Sequence, residues 1–236
     1  MKGTFAHDTW MVLDEVDSTQ TVVAKMIERG EDSKVVYAAH QTAGKGRFDR
    51  HWLSNAGDSL TISIPFPDYA DHPKPWLIGM AVAVAAAGAV HAKVRWPNDI
   101  VLDGKKCGGI LTEIFADSKG RRIPVVGLGL NLNQTEMPEE IAETATSLAI
   151  HRSGQHDPVR MAKAILDRLE GMPEPEEWES ICGVWMHFDA TPGKKYQLPN
   201  GDIAIAIGIG PDGELIASVD GETTSIMVAD ALFGPQ

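Results

Sequence analysis

"RWPNDIVLDGKKCGG", residues 95 to 109, is the stretch on which the fold turns. Pro97 fixes its own φ and biases Trp96 toward extended backbone, so Asn98 and Asp99 sit at a strand end with restricted geometry. Asp103-Gly104 between apolar runs predicts a tight hairpin. Lys106, seven residues after Asp99, then returns to the same end of the sheet. A carboxamide, a carboxylate and an ammonium converge there beside Gly108 and Gly109. Taken alone, Asn-Asp after proline is a common turn and Lys105-Lys106 is ordinary hairpin solvation. The stretch needs partners before it means chemistry.

Working outward, the chain reads as alternating strands and helices. "WMVLDEV" predicts a strand, and "DSTQ" supplies capping residues for the helical "TVVAKMIERG". "KVVYAAHQ" is strand. "SLTISIPF" alternates as a half-buried strand does. "PWLIGMAVAVAAAGAVHA", 75 to 92, carries no charge, but it is built on Ala, Val and Gly. Its weak apolarity and the strand that follows favour a buried helix packed close to a sheet over a membrane span. "KVRW", "DIVL", "CGGILTEIFA" and "RRIPVVGLGLNLN" are further strands. "PVRMAKAILDRLEGM" is helical and is closed by "PEPEEWES". Beyond residue 186 the pattern changes to short strands with Asn200-Gly201, Asp212-Gly213 and Asp220-Gly221 between them, which predicts a small β-barrel. The expected division is 1–186 and 187–236, with no chemistry in the C-terminal domain.

Composition narrows the function classes. The 236 residues carry a formal net charge of -12, which disfavours nucleic-acid binding through basic surface. Cys107 and Cys182 give no disulfide framework, fit a reducing cytoplasm and are expected to be buried thiols. The opening "MKGTFAHDTWMVLDE" lacks the apolar core of a signal peptide.

Two more motifs join the first. "HQTAGKGRFDRHW", 40 to 52, gathers Lys45, Arg47 and Arg50 around Gly44 and Gly46 in an acidic chain. Such glycines let backbone N–H groups face an anion, although the pattern is not a P-loop and a solvated surface loop would look similar. "GLGLNLN", 127 to 133, sets Gly127, Gly129, Asn131 and Asn133 on one strand face. Glycine inside a strand is unfavourable unless a ligand or another segment of the chain comes close. A flat ligand, a bulge or tight helix packing would each explain it.

In order, "EVDSTQ", "QTAGKGR…W", "RWPNDIVLDGKKCGGILTE" and "GLGLNLN" resemble the catalytic domain of biotin protein ligases, within the biotin/lipoate ligase superfamily. The resemblance covers roughly residues 12 to 190. It implies an α+β fold with a mixed sheet and flanking helices, like that of class II aminoacyl-tRNA synthetases, plus a small C-terminal SH3-like barrel. It implies ATP-dependent activation of biotin to biotinyl-5′-AMP, with Mg²⁺ accompanying the ATP, then transfer to a lysine of a biotin carboxyl carrier domain. By this resemblance Ser18, Thr19 and Gln41 meet the ureido ring, and Gly109, Gly127 and Gly129 let biotin lie on the sheet. Gly44, Lys45, Gly46, Trp52, Asn98 and Asn131 bind ATP and the adenylate, with Trp52 over adenine. Arg47 and Lys106 flank the carboxylate and α-phosphate, and Asp99 orients or deprotonates the acceptor lysine. No resident metal is assigned. About 15 residues precede "DSTQ", too few for a helix-turn-helix, so no operator binding is expected; a cytoplasmic location and a homodimer fit the family.

The loop departs from the family pattern at Lys45, where arginine is usual, at Phe48, where a second arginine is usual, and at Asp49, where glycine is usual. Gln20 replaces an asparagine. These departures keep two alternatives open: a protein that holds biotin or its adenylate without transfer, and a related lipoate or octanoyl ligase.

Overall fold

The computed structural model describes residues 1–3, 5, 9–48, 50–53 and 55–227. Asp49 lies outside them, as does the end of the last expected strand beyond Met227. The chain runs β1 (Met11–Val16), α1 (Thr19–Glu28), β2 (Val36–Gln41), a short ribbon of β3 (Gly44–Lys45) and β4 (His51–Trp52), then β5 (Ser59–Pro65) and α2 (Trp76–Ala89). It continues with β6 (Lys93–Arg95), β7 (Asp99–Leu102), β8 (Lys105–Ala116), β9 (Arg122–Asn131), α3 (Leu148–His151), α4 (Pro158–Glu170) and α5 (Trp178–Phe188). The last elements are β10 (Lys195–Gln197), β11 (Ile203–Ile209), β12 (Leu215–Val219) and β13 (Glu222–Ile226).

Seven strands form a mixed sheet in the order β1-β2-β5-β9-β8-β7-β6. Only the β1–β2 pair is parallel. One face carries the main core, in which Leu60, Ile62, Ile64, Val126, Leu128 and Leu130 pack against α2, α4 and α5. The charge-free run at 75–92 is the helix α2, buried along nearly its whole length. Its small residues allow close approach: a Cβ on Gly79 would collide with the Thr112 hydroxyl of β8. The other face is only partly covered. There α1 buries Val23, Met26 and Ile27 on Val36, Ile123 and Val125, and the remaining strand surface is left for the site.

Three expectations need correction. β5 is buried over all seven residues, not on alternate ones. It is a central strand with a core on one side and α1 on the other, and its polar side chains are satisfied internally: the Thr61 hydroxyl donates to the Ala38 carbonyl at 2.7 Å. The acidic "PEPEEWES" does follow the end of α4 at Glu170, but its last three residues, Trp178–Ser180, already belong to α5, an unexpected helix that buries Ile181 and Trp185 beneath α2. Cys182, on α5, is half-buried, whereas Cys107 is fully buried and its thiol is pushed up to about 12 by burial.

The C-terminal strands form a four-stranded antiparallel sheet, β10-β11-β12-β13. Asp220 and Gly221 both adopt positive φ, 50° and 89°, as the tight hairpin requires. The sheet packs Tyr196, Ala204, Ala206, Leu215, Ala217 and Ile226 around Trp96, a residue of the first motif. Among the described residues no helix is long and apolar enough to cross a membrane.

Candidate active site

A β-bulge builds the charged end of the site. On β8 strict alternation would group Lys106 with Gly108 and with Ile110, which is buried in the main core. The β7–β8 register slips between Ile100 and Val101, so that Ile100 pairs with Gly108 but Val101 pairs with Lys106. The extra residue turns Lys106 onto the face of Asp99 and Gly109. The backbone of Lys106 is held on its other side by residues 144–146, with the Lys106 N–H donating to the Thr144 carbonyl and the Thr146 N–H to the Lys106 carbonyl, both at 2.8 Å.

Asp99 is thereby clamped on both oxygens. Lys106 Nζ stands 2.7 Å from Oδ1, and Arg95 Nη2 stands 2.7 Å from Oδ2. Arg95 and Asp99 are cross-strand partners at the β6–β7 turn, a turn whose Trp96–Pro97 peptide is cis. Asn98 donates from Nδ2 to the Ile110 carbonyl at 2.6 Å and accepts a long bond, 3.5 Å, from Arg47 Nη1. Burial pulls the Arg47 guanidinium down to about 10, opposed by Asp99 and reinforced by Arg50, so it stays charged at neutral pH.

The second cluster lies where α1 begins. Ser18 occupies the N-cap of α1, but its side chain makes no capping bond there. The Thr19 N–H and hydroxyl both donate to Gln41 Oε1, at 2.8 and 3.0 Å. Ser63 Oγ pairs with Thr19 Oγ1 at 2.8 Å and donates to Gln20 Oε1 at 2.7 Å. Gln20 in turn donates to the Leu111 and Val125 carbonyls, each at 3.3 Å. These side chains are buried and mutually fixed.

Each bare strand position faces a side chain. A Cβ on Gly127 would stand 3.0 Å from Gln20 Oε1, one on Gly109 would stand 3.3 Å from Lys106 Cε, and one on Gly129 would meet the Trp52 indole at 2.5 Å. In this structure close approach by side chains accounts for all three glycines. The Trp52 Nε1–H is buried with no acceptor among the described residues. The basic loop that carries Trp52 is a ribbon in which Gly44 pairs with Trp52 and Lys45 with His51. The Gly46 N–H donates to the Arg50 carbonyl at 2.7 Å, so this amide is used within the ribbon and does not face an anion, contrary to the expectation. Asn131, at the end of β9, donates to the Thr146 carbonyl at 3.0 Å.

A cavity of about 1330 Å³ joins the two clusters. Every candidate site residue lines it except Gly44, where a Cβ would meet the Trp52 carbonyl at 2.5 Å. The sequence did not point to Gln20, Ser63 and Arg95 as wall residues, nor to the 134–139 segment or to Lys194, Lys195 and Tyr196. The last three bring the C-terminal domain, in which no chemistry is expected, to the cavity wall. Arg95 alone had a usable signal, since a three-residue loop centred on Pro97 sets it opposite Asp99.

The mixed sheet thus leaves one face half-covered, with a cation-clamped carboxylate at one end of the opening and a hydrogen-bonded helix start at the other. Residues 12–131 match the family model of the biotin/lipoate A/B protein ligase family, and the chain belongs to that family. It is 30% identical over 250 residues to a biotin–(acetyl-CoA-carboxylase) ligase of Mycobacterium tuberculosis, covering 96% of this chain and 91% of that protein. It is likewise 30% identical to the bifunctional ligase/repressor BirA of Bacillus subtilis, over 94% of this chain and 73% of that protein. The solved biotin protein ligase of Aquifex aeolicus, in complex with biotin and ATP, superposes with a TM-score of 0.75 at 25% identity, covering 97% of this chain and 99% of that one.

Proposed function

We propose that this chain is an ATP-dependent biotin–protein ligase. In the first step a carboxylate oxygen of biotin bonds to the α-phosphorus of ATP, and the bond from that phosphorus to the pyrophosphate oxygen breaks. In the second, a lysine amine of a biotin carboxyl carrier domain bonds to the acyl carbon. The C–O bond to AMP breaks, and the amine loses its proton. The observation that carries this reading is Asp99 held between Lys106 and Arg95 beside Arg47 and Asn98, at one end of a cavity floored by glycine-bearing strands.

Lys106 and Arg47 are positioned to stabilise the charge that develops on the phosphorus oxygens. Asp99, engaged on both oxygens, holds Lys106 in place and orients the incoming amine. Ser18, Thr19 and Gln41 receive the ureido ring; Thr19 holds the Gln41 carbonyl, which fixes the orientation of its amide N–H₂. For biotin to lie on Gly127 and Gly129, Trp52 leaves Gly129 and closes over the adenine. Lys45, Gly46, Asn98 and Asn131 complete the nucleotide wall, and Gly44 shapes the ribbon behind it. On this reading magnesium would enter with the triphosphate, held by phosphate oxygens and water with at most one or two carboxylates.

The expected SH3-like module, 187–236, belongs to this reading, supported over the described residues up to 227 by the four-stranded sheet and its cluster around Trp96. The main domain, whose last helix α5 ends at Phe188, runs slightly past the expected boundary at 186. A cytoplasmic setting, no nucleic-acid partner and a homodimer belong to the same proposal, and sedimentation tests the last.

The test follows the mass of an apo carrier domain incubated with the protein, ATP and either biotin or lipoate. Gain of one biotin, dependent on ATP, is expected. Pyrophosphate release without carrier modification would instead indicate a non-transferring binder, and modification by lipoate alone would indicate the related ligase.

A further inference from the structure

Phe48 has a conformation that neither burial nor backbone preference explains. Its φ is +54°, a region that a bulky side chain enters only under strain. The side chain is 53% exposed, so the hydrophobic effect gives little in return. The Arg47 guanidinium carbon, however, stands 4.7 Å from the ring centroid, inside the range of a cation–π contact. The same guanidinium reaches toward Asn98 Oδ1 at the cavity wall, with Arg50 close enough to repel it and Asp99 close enough to attract it.

We propose that Phe48 is a positioning residue that stacks on Arg47 and holds its guanidinium over the cavity before substrate arrives. The role of Arg47 rests on the ligase reading above; the stacking does not. A third cation at position 48 would repel Arg47 and Arg50, whereas the negative face of a ring attracts the guanidinium without competing for the incoming phosphate. The strained backbone at Phe48 is what brings the ring over its own neighbour. Ordering the arginine on folding removes that step from binding, so the gain falls in KM.

The experiment compares Phe48→Leu, Phe48→Ala and Phe48→Tyr, each alone and in an Arg47→Ala background. The leucine variant keeps apolar bulk without a π face; the tyrosine variant keeps the face. A cation–π contact at an exposed site corresponds to roughly a two- to fivefold change in equilibrium. Phe48→Leu and Phe48→Ala should therefore raise the KM for ATP by about that factor, leave kcat and melting temperature unchanged, and be nicked by trypsin in the 45–50 loop several-fold faster. Phe48→Tyr should match the native protein in all of these, and Phe48→Leu should add nothing to Arg47→Ala. Native-like nicking in Phe48→Leu overturns the stacking, and faster nicking with native KM overturns the positioning role. If Arg47→Ala itself leaves pyrophosphate release intact while Phe48→Leu is nicked faster, the stacking stands and the reading of Arg47 fails.

Discussion

Lys106→Ala should nearly abolish pyrophosphate release while leaving the protein folded, and the two effects are far enough apart to be separated. The ammonium is 38% exposed on its side chain, and Asp99 keeps Arg95 at 2.7 Å when Lys106 is gone. Losing one half-exposed partner of a retained pair should therefore change stability by less than about 1 kcal/mol. The rate loss should be larger, because the lost charge is aimed at the transition state. Removing one oxyanion donor is the nearest analogue, at about 2.7–4 kcal/mol, or roughly 10²–10³ in kcat. Lys106 also covers Gly109, with Cε 3.3 Å from where a Cβ would stand, so Lys106→Met is the companion variant that keeps the stem and deletes the charge. Pyrophosphate release from biotin and ATP is followed in both, beside a thermal melt. Release within threefold of native in either variant would refute the assignment. A loss in Lys106→Ala that Lys106→Met restores would assign the effect to packing.

Other consequences can be checked with the same assays. Gly129→Ala would put a Cβ 2.5 Å from where the Trp52 indole now lies and so displace it, and KM for biotin should rise about tenfold or more as the strand surface roughens; unchanged KM would mean that biotin lies elsewhere. Gly108→Ala places a Cβ 2.8 Å from the Gly129 carbonyl and the Leu130 side chain, an overpacked position that should cost about 1–3 kcal/mol in denaturant titration. Truncation after Phe188 should abolish adenylate formation as well as transfer, because Trp96 loses its enclosing sheet; a truncated protein that still releases pyrophosphate would show that the turn at Asn98 and Asp99 holds itself.

The order of most strands and helices was legible because each carries a strong local signature, α5 and the β3–β4 ribbon being the exceptions. The charge-free α2, the Asp-Gly hairpins and the alternating glycines of β9 needed no tertiary information. The site was legible where a turn brings neighbours together, as at Asp99 and Lys106. What escaped the sequence is what depends on distant segments. β5 alternates like a half-buried strand, yet its polar face lies beneath α1 and bonds to Thr19 and Gln20. The bulge that turns Lys106 outward leaves no mark in "DGKKCGG". Gly127 and Gly129 were correctly read as places of close approach, but sequence could not say that Gln20 and Trp52 come there. The wall at Lys194–Tyr196 comes from a strand almost 100 residues from the turn it faces: Tyr196 donates to the Trp96 carbonyl at 3.0 Å across a separation of 100.

Trp96 also bears on how such chains can be recombined. Its indole N–H donates to the Gly213 carbonyl at 2.9 Å, its backbone N–H is held by the Thr191 hydroxyl at 2.8 Å, and Ala204, Ala206 and Ala217 sit in the cluster that encloses it. Three alanines on the inner face of a small sheet make a poor core by themselves; they make room for a borrowed ring. The C-terminal residues are therefore not an interchangeable cassette. A chimera that takes its tail from another ligase must bring an inner face of matching volume, and one with valine or leucine at those alanine positions would push the ring out and drag Asn98 and Asp99 with it. In this architecture, inheritance of the tail and of the turn at Asn98 and Asp99 is coupled through Trp96.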